Sequence, residues 1–154
     1  AEVARITEKS MSDVLEVRRT LDALCAELAC DRITAGSLAD LKKACDHFEQ
    51  CVETHDAKRI AEADVSLHDI IVKATGNQRL IQMVHNLSEQ MYRYRFEYIK
   101  DSSQHDTLVK EHRIIYQSIV DKDKETAAAA ARLHIDNQKK AIIRQIRLES
   151  RAER

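Results

Sequence analysis

The chain has 154 residues, enough for one domain with a buried core, and its 25 lysines and arginines nearly balance 26 aspartates and glutamates. Without a basic excess, nothing favours nucleic-acid binding by this domain itself, and no apolar run is long enough to span a bilayer. The absence of proline and the presence of only 2 glycines favour an all-α fold.

The four cysteines, Cys25, Cys30, Cys45 and Cys51, form no C-x-x-C pair. Cys25 falls on an apolar helical stripe, which is typical of a small core residue. We therefore expect reduced, structural thiols in a cytoplasmic protein, with a disulfide or a metal role as the alternative. No signal peptide is visible, and because the sequence starts at Ala1 we expect a fragment of a longer protein.

The first helix is predicted to begin after an N-cap at Ser12 and to end near Arg32. Residues 1–11 are predicted to be a lead-in, in which Val3 and Ile6 could dock on the domain. The predicted inward stripe of the helix consists of Val14, Val17, Leu21, Leu24, Cys25 and Leu28. Arg18 also lies on this stripe, where it either reaches solvent at the rim of the bundle or binds an anion in a cavity.

The second helix is predicted from Thr34 to about Thr54, and the third follows a cap at Asp56 and ends before Gly76. The inward face of the third helix is apolar except for Asp64 and His68, which lie four residues apart and therefore one above the other. An ionised carboxylate that faces a core is costly unless it is paired or binds a metal.

A fourth helix is predicted from a cap at Asn77 to about Tyr98, and residues 101–106 are predicted to form a loop. The fifth helix is predicted from about Thr107 to Val120, and His112 interrupts its apolar stripe. Asp123 is predicted to cap the last helix. In that helix His134 lies on or beside a face of small residues, and residues 144–154 are expected to fray or extend into solvent.

Three histidines and one aspartate therefore interrupt apolar stripes on three predicted helices: Asp64, His68, His112 and His134. Neutral imidazoles and a carboxylate suit Zn, Ni, Fe, Mn or Co. A histidine on an apolar face is also found as a hydrogen-bonded core residue, so the pattern alone leaves a shared metal and separate core histidines both open.

Four sequence motifs stand out: Glu16-Val-Arg-Arg-Thr-Leu-Asp22, Asp64-x-x-x-His68 with Ala74-Thr-Gly-Asn77, Glu111-His112-Arg-x-Ile-Tyr, and Ala131-Arg-Leu-His134. In this order they resemble the FCD domain, the C-terminal effector-binding domain of FadR-type regulators in the GntR family of transcription factors. The resemblance covers essentially the whole chain. Asp22 departs from the pattern, because the family commonly has glutamate there.

The resemblance implies an antiparallel bundle of six to seven helices that serves as a regulatory domain over residues 1–154. It implies a divalent ion, with zinc first and nickel, manganese or iron as alternatives, on Asp64, His68, His112 and His134. A small organic-acid effector would meet this ion and Arg18, and Asn77, Tyr94 and Arg95 are weaker candidates for the pocket wall. The resemblance also implies operator binding through a winged helix-turn-helix domain that this chain lacks.

We further expect a homodimer, with the first and fourth helices as candidate interfaces, because dimeric helix-turn-helix proteins read two-fold symmetric operators. Two other function classes stay open: a metal-dependent enzyme and a purely structural interaction bundle. We expect no enzyme, because Glu111 points to another side of its helix than His112 and so leaves no general acid or base near the metal. No E-x-x-H pair occurs either, which disfavours a di-iron bundle.

Overall fold

The structure, a computed structural model, describes residues 5–153. Within this range it contains seven α-helices and no strand: α1 (Glu8–Arg32), α2 (Ala35–Glu53), α3 (Ala57–Ala74), α4 (Gln78–His85), α5 (Ser88–Ile99), α6 (His105–Val120) and α7 (Lys124–Ala152). The all-α fold with six to seven helices is thus confirmed. None of these helices is long and apolar enough to cross a membrane.

The longest helices, α1 and α7, pack against each other in antiparallel fashion. At one end of the pair Arg5 donates to Glu153 at 2.8 Å, and at the other end Lys124 forms an ion pair with Asp31. The two helices bury alanines rather than large side chains over much of their length, including Ala26, Ala29, Ala127, Ala128 and Ala131. Small side chains allow close approach of the helix axes, so α1 and α7 form one wall of the bundle.

Helix α3 is central, since it packs against α1, α2 and α5, while α6 packs against α1, α2 and α7. Polar residues on the inward faces of α3, α6 and α7 therefore share the interior of the bundle. This arrangement brings together side chains that are far apart in the sequence.

Predicted helix ends are confirmed where one side chain caps the helix. The side chains of Asp56, Asn77 and Asp123 accept backbone hydrogen bonds from the first turns of α3, α4 and α7. Thr34 does the same for α2. Gly76 follows α3 with φ of +60°, the left-handed conformation that glycine adopts without strain.

The predicted start of the first helix at Ser12 is wrong, because Thr7 caps α1 by accepting a hydrogen bond from the backbone of Ser10 at 3.1 Å. The added first turn buries Met11 completely. Ile6 is half-buried against the core, as its predicted docking role requires. Val3 lies outside the described residues.

The predicted inward stripe of α1 is wrong at two positions, because Val17 is 48% exposed and Leu24 is 39% exposed. Leu15 and Ala26 are buried instead, so the buried face is rotated from the predicted one. Hydrophobic periodicity does not locate the buried face of a helix well when part of that face consists of alanine, because alanine is found on either face. Arg18, by contrast, is buried as the stripe implied.

The predicted fourth helix is two helices, since α4 ends at His85 and α5 begins at Ser88. At the break the backbone N–H of Leu87 bonds to the carbonyl of Val84, three residues back, which tightens the last turn of α4. The side chain of Asn86 is held by Gln82 at 2.8 Å. No proline or glycine marks this break in the sequence.

Two further boundaries differ from the prediction. Within the predicted loop over 101–106, Ser102–Gln104 form a 3-10 turn and α6 already begins at His105, which is buried and lies 2.7 Å from the carbonyl oxygen of Ile99. The predicted fraying from residue 144 onward is wrong as far as Ala152, because α7 continues and packs Ile146 against the core.

Candidate metal centre

Three helices bring the four predicted ligands together in the interior of the bundle. Asp64 and His68 come from α3, His112 from α6 and His134 from α7, and one ligand atom of each lies within 4.8 Å of all the others. Oδ1 of Asp64 lies 3.2 Å from Nε2 of His68 and 2.9 Å from Nε2 of His112. The four residues thus form one cluster. This arrangement favours a shared site over separate, hydrogen-bonded core histidines.

Most of the converging atoms have no hydrogen-bond partner. Asp64 Oδ1 and the Nε2 atoms of His68 and His112 are buried without a hydrogen bond of suitable geometry, despite their short separations. Buried polar atoms in proteins are nearly always hydrogen-bonded, because leaving them unpaired costs about 1–3 kcal/mol each. Several unpaired atoms that face one point indicate a missing partner rather than a set of isolated defects.

The size of the cluster suits a divalent ion. Oxygen and nitrogen ligands bind zinc at about 2.1 Å, which separates ligand atoms on one ion by roughly 3 to 4.2 Å. The 4.8 Å limit for the four ligand atoms is slightly larger, so small side-chain rotations would close the site. The residues present therefore fit a divalent metal in number, chemistry and spacing.

The protonation states of Asp64, His68 and His112 also suit metal binding. Burial lowers the pKa of His68 to about 4 and lowers that of His112, so both rings are neutral at neutral pH. Burial alone would raise the pKa of Asp64, but His68, His112 and the Arg95 guanidinium hold it well below its usual range. Neutral imidazoles and an ionised carboxylate are the forms that bind metals.

Glu111 was expected to point away from this centre, but it lies beside His134. Its Oε2 atom is 3.4 Å from Nδ1 of His134 and accepts a hydrogen bond from the amide of Asn137 at 3.4 Å. Burial alone would lower the pKa of His134, yet Glu111 and Asp64 together outweigh burial and raise it. A carboxylate at one ring nitrogen of histidine leaves the other nitrogen for an ion. The sequence carried a signal for this position, because Leu108, Glu111 and Ile115 follow a buried helical stripe.

Arg95 is a buried cation at the centre that pairs with Asp64. Its Nε atom lies 3.2 Å from Oδ2, the carboxylate oxygen on the side away from the histidine contacts, and makes no hydrogen bond. Only 7% of Arg95 is exposed. Burial lowers the pKa of Arg95 and Asp64 raises it, but a guanidinium stays charged in proteins.

Arg18 lies in a small interior cavity of about 20 Å³ whose walls include His68 and His134. Its guanidinium is bound by Asp22, which accepts from Nε at 3.0 Å and pairs with a terminal nitrogen at 2.8 Å. Of the two alternatives for Arg18, the rim position is excluded, because the residue is only 2% exposed. The volume holds about one water molecule, so an organic acid would need more room than this cavity offers.

Asn77 and Tyr94, the other two predicted effector residues, have local positions at the start of α4 and in α5. Asn77 caps α4 through its side-chain oxygen, and Tyr94 is 5% exposed in the core. Burial raises the pKa of Tyr94. Neither residue lines the cavity of Arg18, and the capping role fully explains the asparagine.

The cysteines are buried as free thiols. Burial raises the pKa of Cys25 to about 12 and that of Cys45 to about 11, which disfavours the thiolate that metals bind. Cys25 borders the cavity of Arg18, but no cysteine belongs to the group of four potential ligands.

The sequence pattern of the FCD domain matches residues 13–137 of the chain. The chain is 22% identical over 137 residues to YdhC, an uncharacterised HTH-type transcriptional regulator of Bacillus subtilis, with 88% of this chain and 61% of that protein covered. It is 26% identical over 123 residues to the galactonate operon transcriptional repressor of Escherichia coli, with 79% and 52% covered. The chain therefore spans about half to three-fifths of the length of these relatives.

Among solved structures, the metal-free FCD domain of TM0439 has the same fold, with a TM-score of 0.78 at 18% sequence identity. The alignment covers 94% of this chain and 99% of that domain. At this identity the likeness supports the fold alone, and it places the whole of the described bundle within that fold.

Proposed function

The chain belongs to the FCD domain family, and on this premise we propose that residues 1–154 form the ligand-sensing domain of a GntR/FadR-type transcription regulator. The relatives described above are named as regulators of transcription and not as enzymes, in agreement with the expected class. Operator binding would then belong to a winged helix-turn-helix domain elsewhere in the full-length protein.

The observation that carries this proposal is the buried cluster of unpaired ligand atoms shared by α3, α6 and α7. Asp64, His68, His112 and His134 would hold one divalent ion. Zinc suits this set of three imidazoles and one carboxylate, and nickel, manganese and iron are the alternatives. When bound, the ion would supply a positive centre that attracts an anionic oxygen of the effector.

Two arginines favour an organic acid as the effector. Arg18 and Arg95 are both buried. Arg18 is paired with Asp22, whereas Arg95 shares the carboxylate of Asp64 with two histidines, and a buried cation with incomplete compensation favours an anion in its neighbourhood. The guanidinium of Arg18 would hold a carboxylate through two parallel hydrogen bonds once it turns from Asp22. We retain Arg18 and Arg95 as effector-binding residues, whereas Asn77 and Tyr94 lack a position that favours this role.

Effector binding would be transmitted through the packing of the helices. The ion joins α3, α6 and α7, and the acid would add α1 through Arg18. A ligand shifts an equilibrium only if it binds two arrangements with different affinities. A homodimer would give such arrangements, and its proposed interface on α1 and α4 contains the exposed apolar side chains Val17, Leu24 and Met83.

Calorimetry with small carboxylates tests this proposal on zinc-loaded protein. Arg18→Ala should weaken binding of the same acid by about 2 kcal/mol, because a buried, charge-assisted hydrogen bond is lost, while zinc content stays unchanged. Arg19→Ala is the matched control, since Arg19 is exposed and pairs with Asp136 at 2.8 Å. Equal affinities in all three proteins would remove Arg18 from the site, and failure of every acid would remove the sensing role.

A further inference from the structure

A groove of about 370 Å³ opens to solvent on the side of Arg18 that faces α3, α4 and α5. Arg18, His68 and Val72 border both this groove and the small interior cavity. The groove is thus the roomier approach to the metal centre. Its wall also contains Arg95, together with Lys73 and His85 near the exposed side.

Arg95 lacks a carboxylate of its own. Within ion-pairing distance it has Asp64, which also lies against His68 and His112 and belongs to the proposed ligand set. Arg18, in contrast, has Asp22 as a partner, which contacts its Nε and one terminal nitrogen. Lys73 is paired with Asp69 at 2.8 Å. Among the basic groups of the groove, Arg95 is the buried cation whose charge is least compensated.

A guanidinium in this position is suited to bind an anion from the groove. Its planar fork matches a carboxylate or phosphate group through two parallel hydrogen bonds. Asp64 contacts Arg95 with one carboxylate oxygen and the histidines with the other, so the guanidinium and the metal centre are separated by the width of one carboxylate. A short acid can therefore reach both.

We propose that this groove is a second anion subsite, in which Arg95 holds the distal carboxylate or phosphate of a short dianionic acid. The inference rests on the proposed function, because the other end of the acid would be held by the metal centre and Arg18. It adds an effector class: acids with a second negative group close to the first bind in preference to monocarboxylates of the same size.

The test compares matched acids by calorimetry on the zinc-loaded chain at constant free zinc. Lactate and malate share the hydroxy-acid head, and the distal monoamide of malate replaces the second carboxylate with a neutral group of equal size. We expect malate to bind at least tenfold more tightly than this monoamide. Glycerate and 3-phosphoglycerate form the corresponding pair for a distal phosphate and distinguish the two anion types.

Three variants assign the preference to Arg95. In Arg95→Gln the affinity ratio between malate and its monoamide should fall to about one, whereas Arg95→Lys should keep part of the preference because it keeps the charge. Arg79→Gln is the matched control, since Arg79 is exposed and does not border the groove. Because each ratio is measured within one protein, partial unfolding of a variant does not change it.

Each outcome has a distinct meaning. A ratio near one for both pairs of acids in the unsubstituted chain, with lactate or glycerate still bound, overturns the second subsite and leaves the proposed function intact. A preference that persists unchanged in Arg95→Gln overturns it as well, because the distal group then lies elsewhere. If Arg95→Gln does not fold or hold zinc, an undiminished ratio in Arg95→Lys likewise overturns the subsite. Absence of binding by every acid refutes the sensing function together with the subsite.

Discussion

His112 and Arg113 are adjacent on α6, yet they belong to opposite kinds of polar site. Arg113 lies at the surface and donates to Glu49 and Asp46 at 2.6 Å each, so its charge is fully paired. These hydrogen bonds raise the pKa of Arg113. His112 points into the bundle, where its Nε2 atom lies 2.9 Å from Asp64 without a hydrogen bond.

This difference in hydrogen bonding distinguishes polar groups that stabilise the fold from polar groups that are suited to bind a ligand. The ion pairs of Arg113 are complete without any further partner, and solvent can replace them at small cost. The interior cluster around Asp64 is incomplete, and Asp64, His112 and His134 are almost fully shielded from solvent. The feature that indicates a binding site in this domain is therefore a group of buried polar atoms without hydrogen-bond partners, rather than a high density of charges.

The largest expected effect in metal-free protein comes from Asp64→Ala. This change leaves the buried guanidinium of Arg95 without its carboxylate, and breaking a buried pair costs about 3–5 kcal/mol. Urea denaturation in the presence of a chelator measures the loss. Asp69→Ala, on the same helix, removes an exposed pair with Lys73 and should cost only about 0.5 kcal/mol. Equal losses for the two variants would contradict the contrast between buried and surface charges.

The next effect concerns Glu111, which links the interior cluster to its surroundings. Glu111→Ala removes the carboxylate beside Nδ1 of His134, and loss of such an outer partner typically lowers metal affinity about 10- to 100-fold. Competition against a zinc-binding dye measures the affinity. Glu62→Ala removes an exposed glutamate of α3 and should change nothing. Unchanged zinc affinity in Glu111→Ala would restrict Glu111 to packing between α6 and α7.

The smallest effect is expected at the surface network. Arg113→Ala breaks the contacts with Asp46 and Glu49, and ion pairs of this exposure contribute about 1 kcal/mol or less each. Urea denaturation with and without salt measures the loss. At about 1 M salt the screening length falls to about 3 Å, so the stability difference between the unsubstituted protein and Arg113→Ala should become smaller still. A loss as large as that of Asp64→Ala would show that complete surface pairs stabilise the bundle as strongly as the interior ones.

The sequence predicted local features better than the arrangement of helices. The caps at Asp56, Asn77 and Asp123 were predictable because each depends on one side chain and the backbone next to it. The break between His85 and Ser88 was not, because no proline, glycine or capping side chain marks it. The predicted phase of α1 was also wrong at Val17, since periodicity does not fix which face meets α7.

The candidate site was predictable for a different reason. His68, His112 and His134 each interrupt an apolar stripe, so burial of the stripes forces them into a common interior. The stripe of Leu108, Glu111 and Ile115 indicated that Glu111 is buried, but its contact with His134 was not predictable, because that partner comes from α7. Partners across helices depend on packing, which a single sequence does not specify.

The central claim is that Asp64, His68, His112 and His134 hold one divalent ion. Elemental analysis of chain purified without chelator or a nickel column, then dialysed against equimolar zinc and against buffer, tests it most directly. We predict one ion per chain in the unsubstituted protein and in His47→Ala, whose histidine is exposed, and almost none in His134→Ala. A chain that retains no metal, or a His134→Ala variant that retains as much as the unsubstituted protein, would contradict this claim.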